Sequence, residues 1–263
     1  MSSVRDWALA LPARGQFTFT TAEARAASGA SEAAAAAALG RAEADRLIAS
    51  PVRGFHVVLP LEDRGTGTPS WRLFLDPLMA HVGIPYYVGL LTAASLHGAS
   101  GQAAQVVQVV TARPRRPVRC GRLAIEFAAR ATAARAPVEL RATPSGRMRV
   151  GTPEVVALDL VRYPAKAAGW GNVATVLRDL APSLRRGGMR AALAVEPATS
   201  EIQRLGHLLE VAGADAVLPA LEAELASRRA GWVPLIPGQP DSDEAPARDG
   251  RWHVLVGDEP QAD

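Results

Sequence analysis

Cysteine and lysine are almost absent from this 263-residue chain, which contains one of each, Cys120 and Lys166. A single cysteine forms no intrachain disulfide, and no second thiol completes a metal or redox pair. No apolar run reaches the roughly 18 residues of a membrane span, and the first residues lack the apolar core of a signal peptide. The sequence therefore predicts a cytoplasmic protein with no membrane partner.

Sequence motifs of catalysis are also missing. There is no glycine-rich phosphate loop ahead of the single lysine, no G-x-S-x-G and no H-E-x-x-H, which removes the common nucleotidase, hydrolase and zinc-protease signatures. The five histidines are scattered. His207 and Glu210 would share a helix face, but two ligands are too few to predict a metal site. We expect no catalytic residue, no metal and no cofactor, and hence not an enzyme.

Positive charge is concentrated in the middle of the chain. Residues 1–83 contain 8 basic and 8 acidic residues, residues 84–190 contain 16 and 5, and residues 191–263 contain 5 and 13. Clustered guanidinium groups add their fields, so such a middle favours a polyanion or an acidic protein surface as partner. The alternative is that the acidic last third folds back on the basic middle.

The first 83 residues have the pattern of a helix-turn-helix followed by a β-hairpin. Apolar spacing and cap residues predict helices over Val4 to Leu11, from Thr20-Thr21 to about Ser28, and from Ser31 to about Ile48, with Gly29 between the last two. The strands of the hairpin, or wing, are predicted over Gly54 to Leu59 and Trp71 to Phe74. We therefore predict a winged helix-turn-helix domain over residues 1–83.

A domain of this kind places its last helix in the major groove of DNA and its wing near the backbone. Carboxylates and arginines can read base edges there, while hydroxyl groups contact phosphate. The residues expected to contact DNA are Thr20, Thr21, Ser31, Glu32, Arg41, Arg46 and Arg53. Small three-helix domains with a hairpin also bind proteins, and this one has no net positive charge. A protein-interaction module therefore remains an alternative.

Residues 84–263 are predicted to form a second, mixed α/β domain. Tyr86 to His97 is expected to be an apolar helix. Strands are expected at Val106 to Thr111, Arg122 to Phe127 and Trp252 to Val256, with a loop over residues 238–250. Further helices should begin at Thr152-Pro153-Glu154, Asn172, Ser200 and Pro219.

Three segments of this second domain carry a recognisable signature. They are residues 86–98, YYVGLLTAASLHG; residues 118–127, VRCGRLAIEF; and residues 151–177, which begin GTPEVVALDLVRYP. In this order they resemble the AbiEi family, the antitoxins of type IV toxin-antitoxin systems, which act in phage defence. The resemblance implies an N-terminal winged helix that binds inverted repeats in its own promoter as two copies. It also implies a C-terminal domain that counteracts a cognate nucleotidyltransferase-like toxin.

The chain departs from this family at its expected recognition helix. Alanine fills residues 33–38, and Glu43 and Asp45 flank the helix end, where family members carry more basic residues. The basic residues that could take part instead are Arg113, Arg115, Arg116, Arg119 and Arg122. They could hold operator DNA or the toxin. The expected function is antitoxin and autorepressor; the alternative is a protein-interaction module or a degenerate nucleotide-dependent enzyme.

Overall fold

Residues 3–99, 106–238 and 246–257 are described by the structure, which is a computed structural model of the chain. Within these ranges helices and three sheets alternate, which confirms the predicted mixed α/β class. The chain divides into two compact units. The first contains Met1–Tyr87, Gln105–Ala129 and Leu140–Arg149, and the second contains Val88–Ala104, Arg130–Glu139 and Val150–Asp263. The division at residue 84 stays a prediction.

Side-chain caps begin the helices at the start of the chain. The elements are α1 (Val4–Ala10), β1 (Thr18–Thr20), α2 (Thr21–Ser28), α3 (Glu32–Ala44), β2 (Ile48–Val52) and β3 (Phe55–Val58). The Thr20 hydroxyl accepts from the N–H of Glu23, and the Ser31 hydroxyl accepts from the N–H of Ala34, so both predicted caps are confirmed. The strands form an antiparallel sheet in the order β1-β3-β2.

Helix α3 ends at Ala44, so its predicted extension to Ile48 is wrong. The N–H of Leu47 donates to the carbonyl of Ala42, and the N–H of Arg46 donates to that of Glu43. This is a Schellman ending, in which the residue at the position of Arg46 adopts the left-handed conformation, here with φ 53°. The reversal ends the helix, and Leu47 and Ile48 after it are both buried.

The predicted strand over Trp71 to Phe74 is also wrong. Trp71–Leu73 is a 3-10 turn, and helix α4 (Leu75–Val82) follows it directly. Phe74, Leu75, Leu78 and Met79 are all buried, and their spacing is that of one helix face. The second strand of the predicted wing is therefore β2, which precedes β3 in the chain.

The largest sheet has six strands in the order β6-β7-β5-β4-β9-β8. Its members are β4 (Tyr86–Val88), β5 (Val106–Thr111), β6 (Val118–Cys120), β7 (Leu123–Ala129), β8 (Val138–Thr143) and β9 (Gly146–Gly151). Strands β5 and β7 pair in parallel along their length, and β6 is antiparallel to β7. The strands predicted at Val106 and Arg122 are thus β5 and β7, and the hairpin β8–β9 carries no strong sequence signal.

The predicted apolar helix over Tyr86 to His97 is wrong in its first part. Tyr86–Val88 is the fully buried strand β4, and only Leu90–Leu96 forms helix α5. Aromatic and β-branched residues suit a buried strand, and the extended backbone of Gly89 ends it, with φ −130° and ψ −170°. A short apolar run of this kind does not reveal its period.

Helices make up most of the rest of the chain. They are α6 (Pro153–Arg162), α7 (Trp170–Leu180), α8 (Arg186–Leu193), α9 (Thr199–Val211) and α10 (Leu218–Ala226), followed by β10 (Val233–Pro234), β11 (Ala247–Asp249) and β12 (Val254–Val256). The cap at Thr152 and the start near Pro219 are confirmed. These three last strands form a sheet in the order β10-β12-β11.

Three predictions in this region are wrong. Asn172 lies inside α7, where its amide donates to the carbonyl of Ala167, and Gly169 precedes the helix instead. Ser200 lies inside α9, whose first turn is closed by Glu201 accepting from the N–H of Ala198. The loop predicted over residues 238–250 contains strand β11, while its residues 239–245 lie outside the described residues.

Two buried carboxylates on α6 tie the second unit together. Glu154 accepts a 2.8 Å hydrogen bond from the N–H of Arg185 at the start of α8. A Cβ atom on Gly188 would lie 2.4 Å from the Glu154 carboxyl carbon, so a larger residue there would displace this carboxylate. One turn further along α6, Asp159 accepts from the guanidinium of Arg130 at 2.8 Å, and both side chains are at most 2% exposed. Helix α6 therefore holds the second unit together through buried polar contacts as well as through its apolar side chains.

Candidate nucleic-acid interface

Helix α2 contacts its neighbours at both ends. A short turn connects its end to α3, and its first residue is hydrogen-bonded to the hairpin β2–β3. Gly29 takes the left-handed conformation, with φ 66°, and ends α2 before Ser31 starts α3. The hairpin turns at Arg53 and Gly54, and the N–H of Thr21 donates to the carbonyl of Gly54 at 3.1 Å. The position of the hairpin turn is thus fixed to the first residue of α2.

The exposed face of α3 consists mainly of small side chains. Ala35, Leu39 and Ala42 are buried, so the opposite face is centred on Ala33, Ala37 and Gly40. The longer side chains Glu32 and Arg41 flank this centre and are exposed. A groove-bound α3 would therefore offer few side-chain hydrogen bonds to bases and would bring its backbone close to them.

Several predicted contact residues already have partners. The Thr20 N–H and hydroxyl both donate to the Glu23 carboxylate in a capping box. The Glu32 carboxylate lies 3.6 Å from the Arg25 guanidinium in an exposed ion pair, and the Arg46 guanidinium donates to the carbonyl of Gly65 at 2.6 Å. Arg53 lies exposed at the hairpin turn.

The five arginines of the basic middle lie in the same unit as these helices. Arg113 and Arg116 lie exposed between β5 and β6, Arg119 is exposed on β6, and Arg122 is exposed in the β6–β7 turn. Arg115 differs, because its guanidinium lies 5.5 Å from the Phe127 ring centroid and is half-buried. Within residues 3–99, 106–238 and 246–257, none of the five forms an ion pair with a carboxylate.

The turn of the β6–β7 hairpin is seated on the segment that follows β3. The N–H of Arg122 donates to the Thr68 hydroxyl at 2.9 Å. A Cβ atom on Gly121 would lie 2.2 Å from that hydroxyl oxygen, and Gly121 also has a φ of 59°. Close approach and backbone conformation both require glycine here. The backbone of the hairpin turn is therefore fixed against this segment.

Arg46 and Arg119 line one concavity of about 210 Å³, together with Glu43, Ser50 and Cys120. Burial and the nearby Glu43 carboxylate raise the pKa of the Cys120 thiol to about 12, so it is not a reactive thiolate at neutral pH. The concavity joins two sets of residues that the sequence suggested separately: the end of α3 and the basic hairpin.

The net charges of the two compact units differ from those of the three sequence segments counted above. The first unit contains 16 arginines and 9 acidic residues, a net charge of +7. The second contains 13 basic and 17 acidic residues, a net charge of −4. Residues 1–83 alone have no net charge. The strands β5 to β9 give the first unit the positive charge that favours binding to a polyanion.

His56 is a buried polar residue of this unit that the sequence did not single out. Its Nδ1 lies 2.9 Å from the Ser50 hydroxyl and its Nε2 lies 2.9 Å from the Thr21 hydroxyl. The Ser50 hydroxyl in turn donates to Glu43 at 3.0 Å. These partners are spread over 36 positions of the sequence, from 21 to 56, and no spacing rule connects them.

His207 and Glu210 share a face of α9, as predicted, and each has a partner in the C-terminal segment. His207 Nδ1 lies 2.6 Å from Asp249, and Glu210 accepts from the indole N–H of Trp252 at 2.6 Å. Across the described parts of the chain, no group of three or more His, Cys, Asp or Glu side chains could hold a metal ion. No helix there has the length and apolarity needed to cross a membrane.

Comparison with known proteins identifies a matching family model and a solved structure with a similar fold. Residues 87–211 match the family model of the AbiEi antitoxin C-terminal domain. No curated protein sequence matches the chain. The fold is similar to the crystal structure of the RV2827C protein from Mycobacterium tuberculosis, with a TM-score of 0.65 and 16% sequence identity. That similarity covers 97% of this chain and 92% of the other.

Proposed function

Because the chain carries an AbiEi antitoxin C-terminal domain over residues 87–211, we propose that it is a cytoplasmic type IV antitoxin and represses its own promoter. The family match carries the antitoxin part, since it covers the signature on α6 and α7. The partner it implies is a toxin. The finer proposal is that this toxin resembles a nucleotidyltransferase and is antagonised directly or through its target.

Growth rescue in cells tests the antitoxin role. The gene adjacent to this one, which the proposal expects to encode a nucleotidyltransferase-like toxin, would be expressed from an inducible promoter, with the antitoxin on a second plasmid under a foreign promoter. We expect the full chain to restore growth and residues 1–83 alone to fail. Loss of rescue by the full chain would contradict the role. Rescue by residues 1–83 alone would mean that the antitoxin activity does not require the family domain.

The DNA-binding part of the proposal is supported by the arrangement of the first unit. Two helices joined at Gly29, followed by the hairpin β2–β3, have the order expected of a winged helix-turn-helix. Arg41 beside the face of α3 and Arg53 at the hairpin turn are exposed. We propose that they contact base edges and backbone, respectively, and that two copies of the chain occupy an inverted repeat.

The basic hairpin β6–β7 is proposed to contact phosphates beside this site. Its support is that Arg119 shares a concavity with Arg46 at the end of α3 and that Gly121 seats its turn against Thr68. An α3 with few base-reading side chains also leaves phosphate contacts as the main source of affinity. The operator footprint would then extend beyond the helix-turn-helix.

Replacing Arg119 and Arg122 together by Gln should weaken binding to all duplexes and make it less sensitive to salt. Each lost phosphate contact lowers the slope of log K against log salt by about 1, so the double variant should lose about 2. Fluorescence anisotropy between low and physiological salt measures this slope.

The matched control removes two exposed arginines of the second unit, Arg190→Gln with Arg229→Gln, which changes the net charge equally. We expect its slope to stay at the wild-type value. An unchanged slope for the Arg119 and Arg122 variant, combined with lost growth rescue, would assign the hairpin to the toxin instead.

A further inference from the structure

A chain of hydrogen bonds connects three elements of the first unit through His56. It runs from Thr21 at the start of α2 to His56 on β3, then to Ser50 on β2, and ends at Glu43 in the last turn of α3. His56 is 7% exposed. Its ring stacks on that of Phe19, with centroids 5.2 Å apart, because Phe19 and His56 are paired across β1 and β3.

The donors and acceptors in this chain have one consistent direction. Glu43 as a carboxylate only accepts, so the Ser50 hydroxyl uses its proton on Glu43. The Ser50 oxygen then accepts from Nδ1–H of His56. A neutral imidazole with its proton on Nδ1 has a bare Nε2, which accepts from the Thr21 hydroxyl. In this order the Thr21 hydroxyl is the donor and His56 is neutral.

A second proton on His56 reverses the direction of the hydrogen bond to Thr21. Nε2 becomes a donor, so the Thr21 hydroxyl must turn its proton away and accept instead. The charged ring also remains against Phe19, out of water. Among the described residues, the charge that bears on His56 is the Glu43 carboxylate of α3; α2, β1 and β2 present Thr21, Phe19 and Ser50 to it.

We propose that His56 is a positioning residue that, while neutral, locks the hairpin β2–β3 and its exposed Arg53 onto helices α2 and α3, so that specific DNA binding is lost on acidification. The inference rests on the proposed DNA-binding function and adds its regulation. The lock acts where the N–H of Thr21 already meets the carbonyl of Gly54 in the hairpin turn. A charged ring held out of water against Phe19 therefore disfavours the arrangement that fixes the hairpin turn to α2.

The direction of the pH effect follows from the burial of the ring. Burial lowers the pKa of His56 below its usual 6.5, and the Glu43 charge only partly opposes this shift. An unfolded or unlocked His56 binds its proton first as the pH falls. The lock is therefore at full strength above about pH 6.5 and weakens progressively below it until folded His56 itself titrates.

The test compares the affinity of the full chain for its upstream DNA with that for an unrelated duplex, at pH 7.5 and pH 5.5. The ratio of the two affinities removes the general gain in binding as other histidines become charged. We expect the wild-type ratio to fall between pH 7.5 and pH 5.5, because the unlocked state binds the proton more readily than the locked one. His56→Gln and His56→Asn keep one hydrogen bond each and cannot titrate, so their ratios should not change with pH.

His81→Gln is the matched control, because His81 is exposed and its ring lies 5.3 Å from that of Phe55, beside His56 in the sequence. This variant should keep the wild-type pH dependence. An equal fall of the ratio in both His56 variants would overturn the inference.

Urea unfolding without DNA gives an independent measurement. The wild type should lose more stability between pH 7.5 and 5.5 than His56→Gln does, and an equal loss would overturn the proposed lock. Absence of specific binding by wild type at pH 7.5 would contradict the proposed function instead.

Discussion

Replacing Asp159 by Ala should destabilise the protein by about 3–5 kcal/mol, because it removes the carboxylate that balances the buried charge of Arg130. The side chains of Arg130 and Asp159 are 2% and 0% exposed, and their atoms lie 2.8 Å apart. The guanidinium then stays buried without a compensating negative charge, or the local structure must open. Urea unfolding followed by circular dichroism measures the change.

Arg135→Ala provides the comparison for this variant. It removes an ion pair with Glu196 whose atoms are 3.9 Å apart and whose side chains are 63% and 76% exposed. Pairs of this kind contribute at most about 1 kcal/mol. A similar loss in the two variants would mean that Arg130 and Asp159 are not the buried anchor that the structure describes.

Replacing Gly206 by Ala should also destabilise strongly, because there is no room for a methyl group. A Cβ atom there would lie 2.2 Å from Cε3 of Trp252, whose side chain is fully buried. The indole cannot easily withdraw, since its N–H donates to Glu210 at 2.6 Å. Overpacking of this kind costs about 1–3 kcal/mol, and denaturant unfolding with tryptophan fluorescence would detect both the loss and the displaced ring.

Gly187→Ala is the same substitution at an open position. Gly187 also lies in a helix, α8, and a Cβ atom there meets nothing within 4 Å. Helix propensity should then stabilise the protein by up to about 1 kcal/mol. The two alanines are therefore expected to act in opposite directions, and equal effects would contradict the packing of Trp252 against α9.

Local signals in the sequence were sufficient for three of the helix starts. Thr20, Ser31 and Thr152 are caps whose side chain bonds to the backbone three residues ahead, so the information lies within one turn. The resemblance of residues 151–177 to AbiEi antitoxins was likewise carried by contiguous sequence, and the family match over residues 87–211 confirms it.

Element ends and types were harder to predict where tertiary burial decides them. Leu47 and Ile48 continue the apolar pattern of α3 but are buried by a reversal at Arg46. Tyr86–Val88 and Leu90–Leu96 are both apolar, and strand pairing, such as that of Val88 with Val150 of β9, makes the first a strand. Such pairings join positions far apart in the sequence, which local patterns do not reveal.

The polar groups of both units were missed for the same reason. Arg130 and Asp159 are 29 residues apart, and Thr21 and His56 are 35 apart. Each side chain viewed alone is an ordinary polar residue. Burial together with a partner gives it a structural role, and neither property can be read from spacing.

The most direct test of the account is an anisotropy titration of the full chain with its own upstream DNA and with an unrelated duplex of equal length. We predict preferential binding of the upstream DNA with two copies per inverted repeat. Arg41→Ala should reduce that preference by about 1–3 kcal/mol, as expected for a lost base contact, while Arg229→Ala should not. Equal binding to the two duplexes, or no binding, would contradict the claim that the first unit reads operator DNA and would favour a protein-interaction module.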